Sequence, residues 1–196
     1  MTKLAKRLPA ALALILALGG CLSFGGKTPP TLFSLTPAQV APAGSTASGS
    51  AKTAIVVMEP ETDKRLAVQR VPVQLDAANV AYLKNAMWVE RPARLFGALL
   101  AETLRAKGSA LVFEGSESEA PGASRLSGRL LDMGYDAASQ SAVVRFDAIR
   151  TNTGGTIMTK RFESRVPGIA AKPEQVGPAL NRAANDVAAQ VADWIG

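Results

Sequence analysis

The pattern of apolar and polar positions changes character along this chain. Ala10 to Leu18 is an unbroken apolar run behind a basic start, Lys3, Lys6 and Arg7. A run of roughly 10 residues is half of what a helix needs to cross about 30 Å of hydrocarbon. Nothing polar alternates within it to provide a solvent face, and Gly, Pro and Ser follow it instead of a partner element. The run therefore predicts a signal segment over residues 1–20. Leu22 to Pro30, rich in Gly, Pro and Ser, reads as a tether whose reach at about 3.3 Å per residue is roughly 30 Å.

The pattern of a folded body covers residues 31–196. Thr31 to Thr36 alternates as a short strand, and residues 37–52, with Ala-Pro and Gly-Ser composition, predict a mobile loop or second linker. Thr53 to Met58 is a β-branched run closed by Pro60, the mark of a buried strand. Leu66 to Leu75 alternates too, but Pro72 cannot donate a ladder hydrogen bond, which predicts an edge or a bulge there. Val80 to Leu83 is a short apolar piece leading to Trp88. Pro92 opens the clearest helix: Leu95, Phe96, Leu99, Leu100 and Leu104 recur at helical spacing, and Gly108 ends it.

Ala110 to Glu114 reads as a strand and Gly115 to Ser124 as a loop. Arg125 to Tyr135, Ala142 to Thr151 and Thr156 to Val166 then alternate as an antiparallel meander, with Asn152-Thr153-Gly154-Gly155 as the turn between the last two. In its middle strand Val144, Phe146, Ala148 and Arg150 share one face, and Val143, Arg145, Asp147 and Ile149 the other. From Gly177 to Ile195, Leu180, Ala184, Val187, Val191, Trp194 and Ile195 line one side of a last helix, with Pro178 near its start. Strands flanking one helix, a meander and a final helix make one domain of ordinary size.

Composition narrows the chemistry. Three of the 22 Lys and Arg lie in the first seven residues, so from Cys21 onward nineteen basic residues face 16 acidic ones, a net charge near +3. That is mildly basic and carries no nucleic-acid signature. The chain has no histidine, which removes the commonest general base, the commonest zinc ligand and every Ser-His-Asp arrangement. Gly26-Lys27-Thr28 imitates the end of a P-loop, but the required earlier glycine is Cys21 and no strand precedes it. Asp132 with Asp136, and Glu117 with Glu119, read as solvated surface: the first pair would stand roughly 13 Å apart along a strand. No metal site and no catalytic group is expected.

One residue keeps a defined chemistry. Cys21, the single cysteine, ends the run Leu18-Gly19-Gly20-Cys21, where narrow residues suit a peptidase that cuts between Gly20 and Cys21. This lipobox predicts a thioether from Cys21 to diacylglycerol and an acylated amino terminus. Because a single acyl chain holds only marginally, two or three give durable anchoring. Leu22 stands where aspartate would retain the protein at the inner membrane, so the expected address is the periplasmic leaflet of the outer membrane.

The run Tyr82-Leu83-Lys84-Asn85-Ala86-Met87-Trp88-Val89-Glu90-Arg91-Pro92, then Leu95-Phe96-Gly97-Ala98-Leu99-Leu100 and Leu104, resembles the auxiliary lipoprotein component of ABC-type transport systems, a family that includes the lipoprotein of the Pqi system. Arg70-Val71-Pro72-Val73 is similar to the family's Arg-Ile-Pro-Val strand, and Phe33 stands where the family more often has tyrosine. The resemblance covers about Thr31 to Ile195. It implies a single α/β domain with a mixed sheet, similar to the amino-terminal domain of TolB, a two-layer α+β arrangement being the alternative. It also implies a non-enzymatic role beside an MCE-domain protein, a permease and an ATPase in envelope lipid transport, with a phospholipid or a second copy of the chain as further partners. A stand-alone lipid-binding shuttle or chaperone is the competing role. Arg70, Tyr82, Trp88 and Pro92 are the motif residues that would form a partner surface, although packing and the start of the helix account first for Trp88 and Pro92.

Overall fold

The computed structural model describes residues 30–108, 111–115 and 122–196. The signal segment, Gly20, Cys21 and the tether up to Pro29 lie outside the described residues, as do Glu117 and Glu119. The elements are β1 (Thr31–Phe33), β2 (Ala54–Val57), β3 (Glu61–Thr62), β4 (Arg70–Gln74), β5 (Val80–Trp88), α1 (Pro92–Lys107), β6 (Leu111–Glu114), β7 (Ser124–Asp136), β8 (Ser141–Thr151), β9 (Ile157–Val166) and α2 (Pro173–Ile195).

Among the described residues the nine strands form one mixed sheet with β7 as its spine. One edge of β7 pairs antiparallel with β8 from Arg125 to Asp136, and β8 pairs antiparallel with β9, which is the meander the alternation predicts. The other edge of β7 takes three strands in turn, all parallel to it. Ile55–Val57 lie opposite Ser124–Leu126, Glu61–Thr62 opposite Arg129–Leu130, and Val73–Gln74 opposite Tyr135–Asp136. Residues 54 to 74 thus run beside β7 as a single strand interrupted twice. Beyond it, β6 pairs with β2, β5 with β4 and β1 with β5.

Both helices cover the same face. Phe96 of α1 meets Phe146 of β8 edge-on at 5.3 Å, and Trp194 of α2 meets Phe162 of β9 at 5.7 Å. Phe146 and Phe162 are themselves cross-strand partners. Val144, Phe146 and Ala148, which share one face of the middle strand, are buried beneath the helices. Gly108 ends α1 with φ of 70°, a left-handed turn that glycine adopts without strain.

Of the edge or bulge that Pro72 predicts, the structure has the bulge: β4 lies between β5 and β7, and Pro72 is tolerated because the β4–β5 ladder is broken there. The structure departs from the sequence pattern in three places, each for a local reason. Arg70 pairs with Met87 but Pro72 with Tyr82, so β5 carries the extra residues as a bulge in which Asn85 has φ of 55°. That bulge hides β5 from an alternation count, and the strand runs from Val80 to Trp88 where only its first four residues look like one. Leu66 to Gln69 are a turn instead of a strand, held by Asp63, whose Oδ1 accepts from the backbone N–H groups of Arg65 and Leu66. Finally, α2 starts at Pro173, so Pro178 lies inside the helix, and its missing N–H leaves the Glu174 carbonyl without the usual helical donor.

Residues 37–50 form no strand and cross over the helices. Asn185 takes the Ala38 N–H on Oδ1 and donates its amide to the Thr36 carbonyl, Asn181 takes the Thr36 N–H, and Glu102 takes that of Ala41.

Candidate functional site

The face of the sheet turned away from the helices holds the chemistry. Along β7, Leu126, Gly128 and Leu130 share the helix-side register with Arg150, Ala148 and Phe146. Leu131 is then an extra residue with no partner in the ladder, after which Met133 and Tyr135 face the helices and Asp132, Gly134 and Asp136 face outward. The bulge is what puts both aspartates on one outer surface.

There they are tied into a ladder of charge. Asp132 accepts from Arg65 Nη2 at 2.6 Å and Arg145 Nη1 at 2.9 Å. Arg145 continues to Glu163, Glu163 accepts from Arg165, and Arg165 reaches Asp136 at 3.5 Å. Arg65 also donates to the carbonyl of Leu131, the bulged residue, and to Gln74 Oε1. The ladder therefore fastens β4, the turn before it and the three meander strands across one surface. The reading of Asp132 and Asp136 as solvated surface is corrected by this arrangement, since the Asp132 side chain is only 23% exposed and has two guanidinium partners.

Between these charges runs a groove of about 590 Å³ whose floor is Pro72, Gly134 and Val143. Gly134 is required here by space, because a Cβ on it would press on the Pro72 carbonyl and stand 2.8 Å from the Pro72 ring. Arg65, Asp132 and Arg145 line the groove, as do Asp76, Asp136 and Arg165. Ser139 and backbone N–H groups hold the Asp136 carboxyl below its ordinary pKa. Burial pushes Glu163 up, but Arg145 and Arg165 outweigh it and the net shift is downward. Burial likewise opposes the Arg65 charge, and its bonds to Asp132 and Asp63 more than restore it. Each charged group of the ladder has an ion-pair partner within it. Among the described residues no group of three acidic or cysteine side chains has metal-binding spacing, and no helix is long and apolar enough to cross a membrane.

These shifts predict the pH dependence of stability. Carboxyls whose folded pKa is depressed, Asp136, Glu163 and also Asp147 beside Arg161, stabilise the fold fully above about pH 5 and lose that contribution as pH falls through their folded values. The chain has no histidine, the one side chain whose ordinary pKa puts its charge change between about pH 5 and 8. Thermal unfolding followed by circular dichroism should give a flat midpoint over that range and a falling one below about pH 4. A midpoint that drops between pH 8 and 6 would contradict the assignment.

The four motif residues fall into two pairs. Trp88 is 1% exposed and meets Phe33 edge-on at 5.6 Å, while the Phe33 ring lies against Gly177 of α2. Pro92 is buried as the first residue of α1. Arg70 and Tyr82, by contrast, come together on the outer face, the guanidinium carbon 4.1 Å from the ring centroid. Sequence reasoning missed Arg65, Arg145, Glu163 and Arg165. For Arg145, Glu163 and Arg165 the local signal is that charges occupy the outward positions of β8 and β9, where the hairpin turn sets Arg145 opposite Glu163.

The model of the ABC-type transport auxiliary lipoprotein component family matches residues 33–192, nearly all of the folded body. The chain belongs to this family. It is thus an auxiliary component of ABC-type transport, in a family of lipoproteins whose place is the cell envelope and which is not a class of enzymes. No curated protein matches the chain in sequence. In structure this auxiliary lipoprotein is similar to protein XCC0632 from Xanthomonas campestris, of the DUF330 family, with TM-score 0.69 and 16% identity over 84% of this chain and 94% of that one. It is also similar to a crystal structure of an uncharacterized protein, with TM-score 0.67 and 12% identity over 86% of this chain and 100% of the other. At such identities the likeness shows the fold: a single α/β domain with an open mixed sheet and two helices packed on it.

Proposed function

We propose that this auxiliary lipoprotein is the periplasmic subunit of an MCE-type lipid transporter, held in the outer membrane by diacylglycerol and an N-acyl chain on Cys21, and that it acts by docking the transporter instead of by catalysis. The observation that carries the reading is the family match over residues 33–192 directly behind a Leu-Gly-Gly-Cys lipobox. The groove lining adds support for docking over lipid shuttling: three arginines and four aspartates among its walls suit polar contacts and would penalise an acyl chain. No cofactor beyond the covalent lipid is called for. The test is affinity purification of the tagged, acylated protein from detergent-solubilised envelopes. Recovery of an MCE protein with a permease and an ATPase is the expected result. Purification that brings down none of them would overturn the proposal, as would native mass spectrometry finding phospholipid bound to the Cys21→Ala domain in place of any transporter partner.

A further inference from the structure

Away from the ladder, at the β1 edge of the outer face, the side chains change character. Leu32 is 61% exposed and points away from the core that Phe33 enters. It stands beside Met87 in the parallel β1–β5 register, and Met87 faces outward because Ala86 and Trp88 on either side of it are buried. Val89, two residues on, is 45% exposed and donates its N–H to the Phe33 carbonyl. On the other side of Met87 lies Arg70. Arg70 and the exposed Lys84 make no ion pair among the described residues, and Arg70 rests on the Tyr82 ring. Three apolar side chains, two cations without acidic partners and a tyrosine thus share the part of the outer face that adjoins the β1 edge.

This edge is also where the chain leaves the fold toward Cys21. Leu32 is eleven residues from Cys21, so it lies within about 36 Å of the acylated sulfur even if the intervening chain is fully extended. The opposite edge of the sheet, β9, is five strands away. Aliphatic groups flanked by Arg, Lys and an amphipathic ring match a bilayer interface, where apolar side chains enter the boundary of the acyl chains and the cations meet anionic headgroups.

We propose that Leu32, Met87 and Val89, with Arg70, Tyr82 and Lys84, form a membrane-contact surface that lays the β1 edge of the domain on the same leaflet that holds the Cys21 acyl chains. The inference rests on acylation of Cys21. It gives the anchored domain a preferred orientation, with the charged ladder and the β8–β9 hairpin directed away from the lipid.

The experiment uses the full acylated protein in vesicles of phosphatidylethanolamine and phosphatidylglycerol. Because the Cys21 sulfur is consumed in a thioether, a cysteine introduced as Leu32→Cys or Val89→Cys is the single reactive thiol and takes an NBD label. Ile157→Cys, at a 65% exposed position on the same face but on the far edge, is the control. The expected result is a blue shift and quenching by acyl-brominated phospholipid at positions 32 and 89, several-fold stronger than at 157. Equal quenching at all three positions, or none at 32 and 89 in a protein that still sediments with the vesicles in high salt, would overturn the contact surface and leave the anchor standing. A wild-type protein that takes the label on Cys21 and fails to sediment would remove the acylation reading, and the contact surface with it.

Discussion

Trp88→Ala is expected to lower stability by about 3–5 kcal/mol, the range for truncating a buried large aromatic. The indole lies at the junction of β1 and β5 with Phe33 against it, and Phe33 in turn seats on Gly177, so the cavity would open beneath the start of α2. A contrasting substitution separates volume from hydrogen bonding. The indole N–H of Trp88 finds no acceptor among the described residues. Trp88→Phe therefore forfeits no hydrogen bond and relieves a buried donor, and should cost at most about half as much as the alanine variant. Urea denaturation of the Cys21→Ala domain measures both. Equal losses for the two variants would mean that the indole N–H, and not the ring volume, holds this junction.

Gly128→Ala is the second large effect. The residue sits in mid-strand on β7 with φ of +152°, and an added Cβ would drive into the Asp147 carbonyl and stand 2.8 Å from the Phe146 ring. Backbone strain at a glycine-only conformation and overpacking each cost about 1–3 kcal/mol. Together they should lower the stability by about 3 kcal/mol or more, because β7 and β8 are the two most extensively paired strands and neither can shift without moving β9 and α2. Gly154→Ala, at the tip of the β8–β9 turn where a Cβ meets nothing, should change stability by less than about 1 kcal/mol. Comparable losses at the two positions would contradict the packing described for β7. A Phe146→Ala background is the wrong place to measure the Gly128 effect, since the two residues touch and their effects will not add.

The parts of the fold that were legible in the sequence are those whose pattern is long and one-sided. The last two meander strands, β8 and β9, alternate over ten residues or more with a glycine turn between them, and α1 carries its leucines at helical spacing between a proline and a glycine. The illegible parts depend on distant partners. Parallel pairing of β2, β3 and β4 with β7 joins residues more than sixty positions apart, and no local signal specifies it. The two bulges, at Leu131 and around Lys84–Asn85, change the phase of the alternation inside a strand, so that counting by twos assigns the residues beyond each bulge to the wrong face. Pro178 drew the start of α2 four residues too late because Pro173 performs the opening that a proline at the first helical position usually marks.

The outer face shows the same division. Arg70 and Tyr82 stand out as motif residues, yet only the register shift in β5 brings the guanidinium over the ring. The ladder joins Arg65, Asp132, Arg145 and Glu163, which lie on four separate segments, and each of them alone resembles an ordinary surface charge. Its contribution is to fix the outer face. Ion pairs at this level of exposure are worth little singly, and more when several share partners and hold a backbone carbonyl, as Arg65 holds that of Leu131.

The proposed working surface requires that the domain be held at a membrane, and the proposal assigns that task to Cys21 alone. The most direct test is fractionation of cells expressing the wild type and Cys21→Ala, with the membranes washed in high salt. Lipid anchoring through Cys21 predicts wild-type protein that stays with the outer-membrane fraction and a variant that appears folded and soluble. A Cys21→Ala protein that remains membrane-bound after the wash would contradict the account.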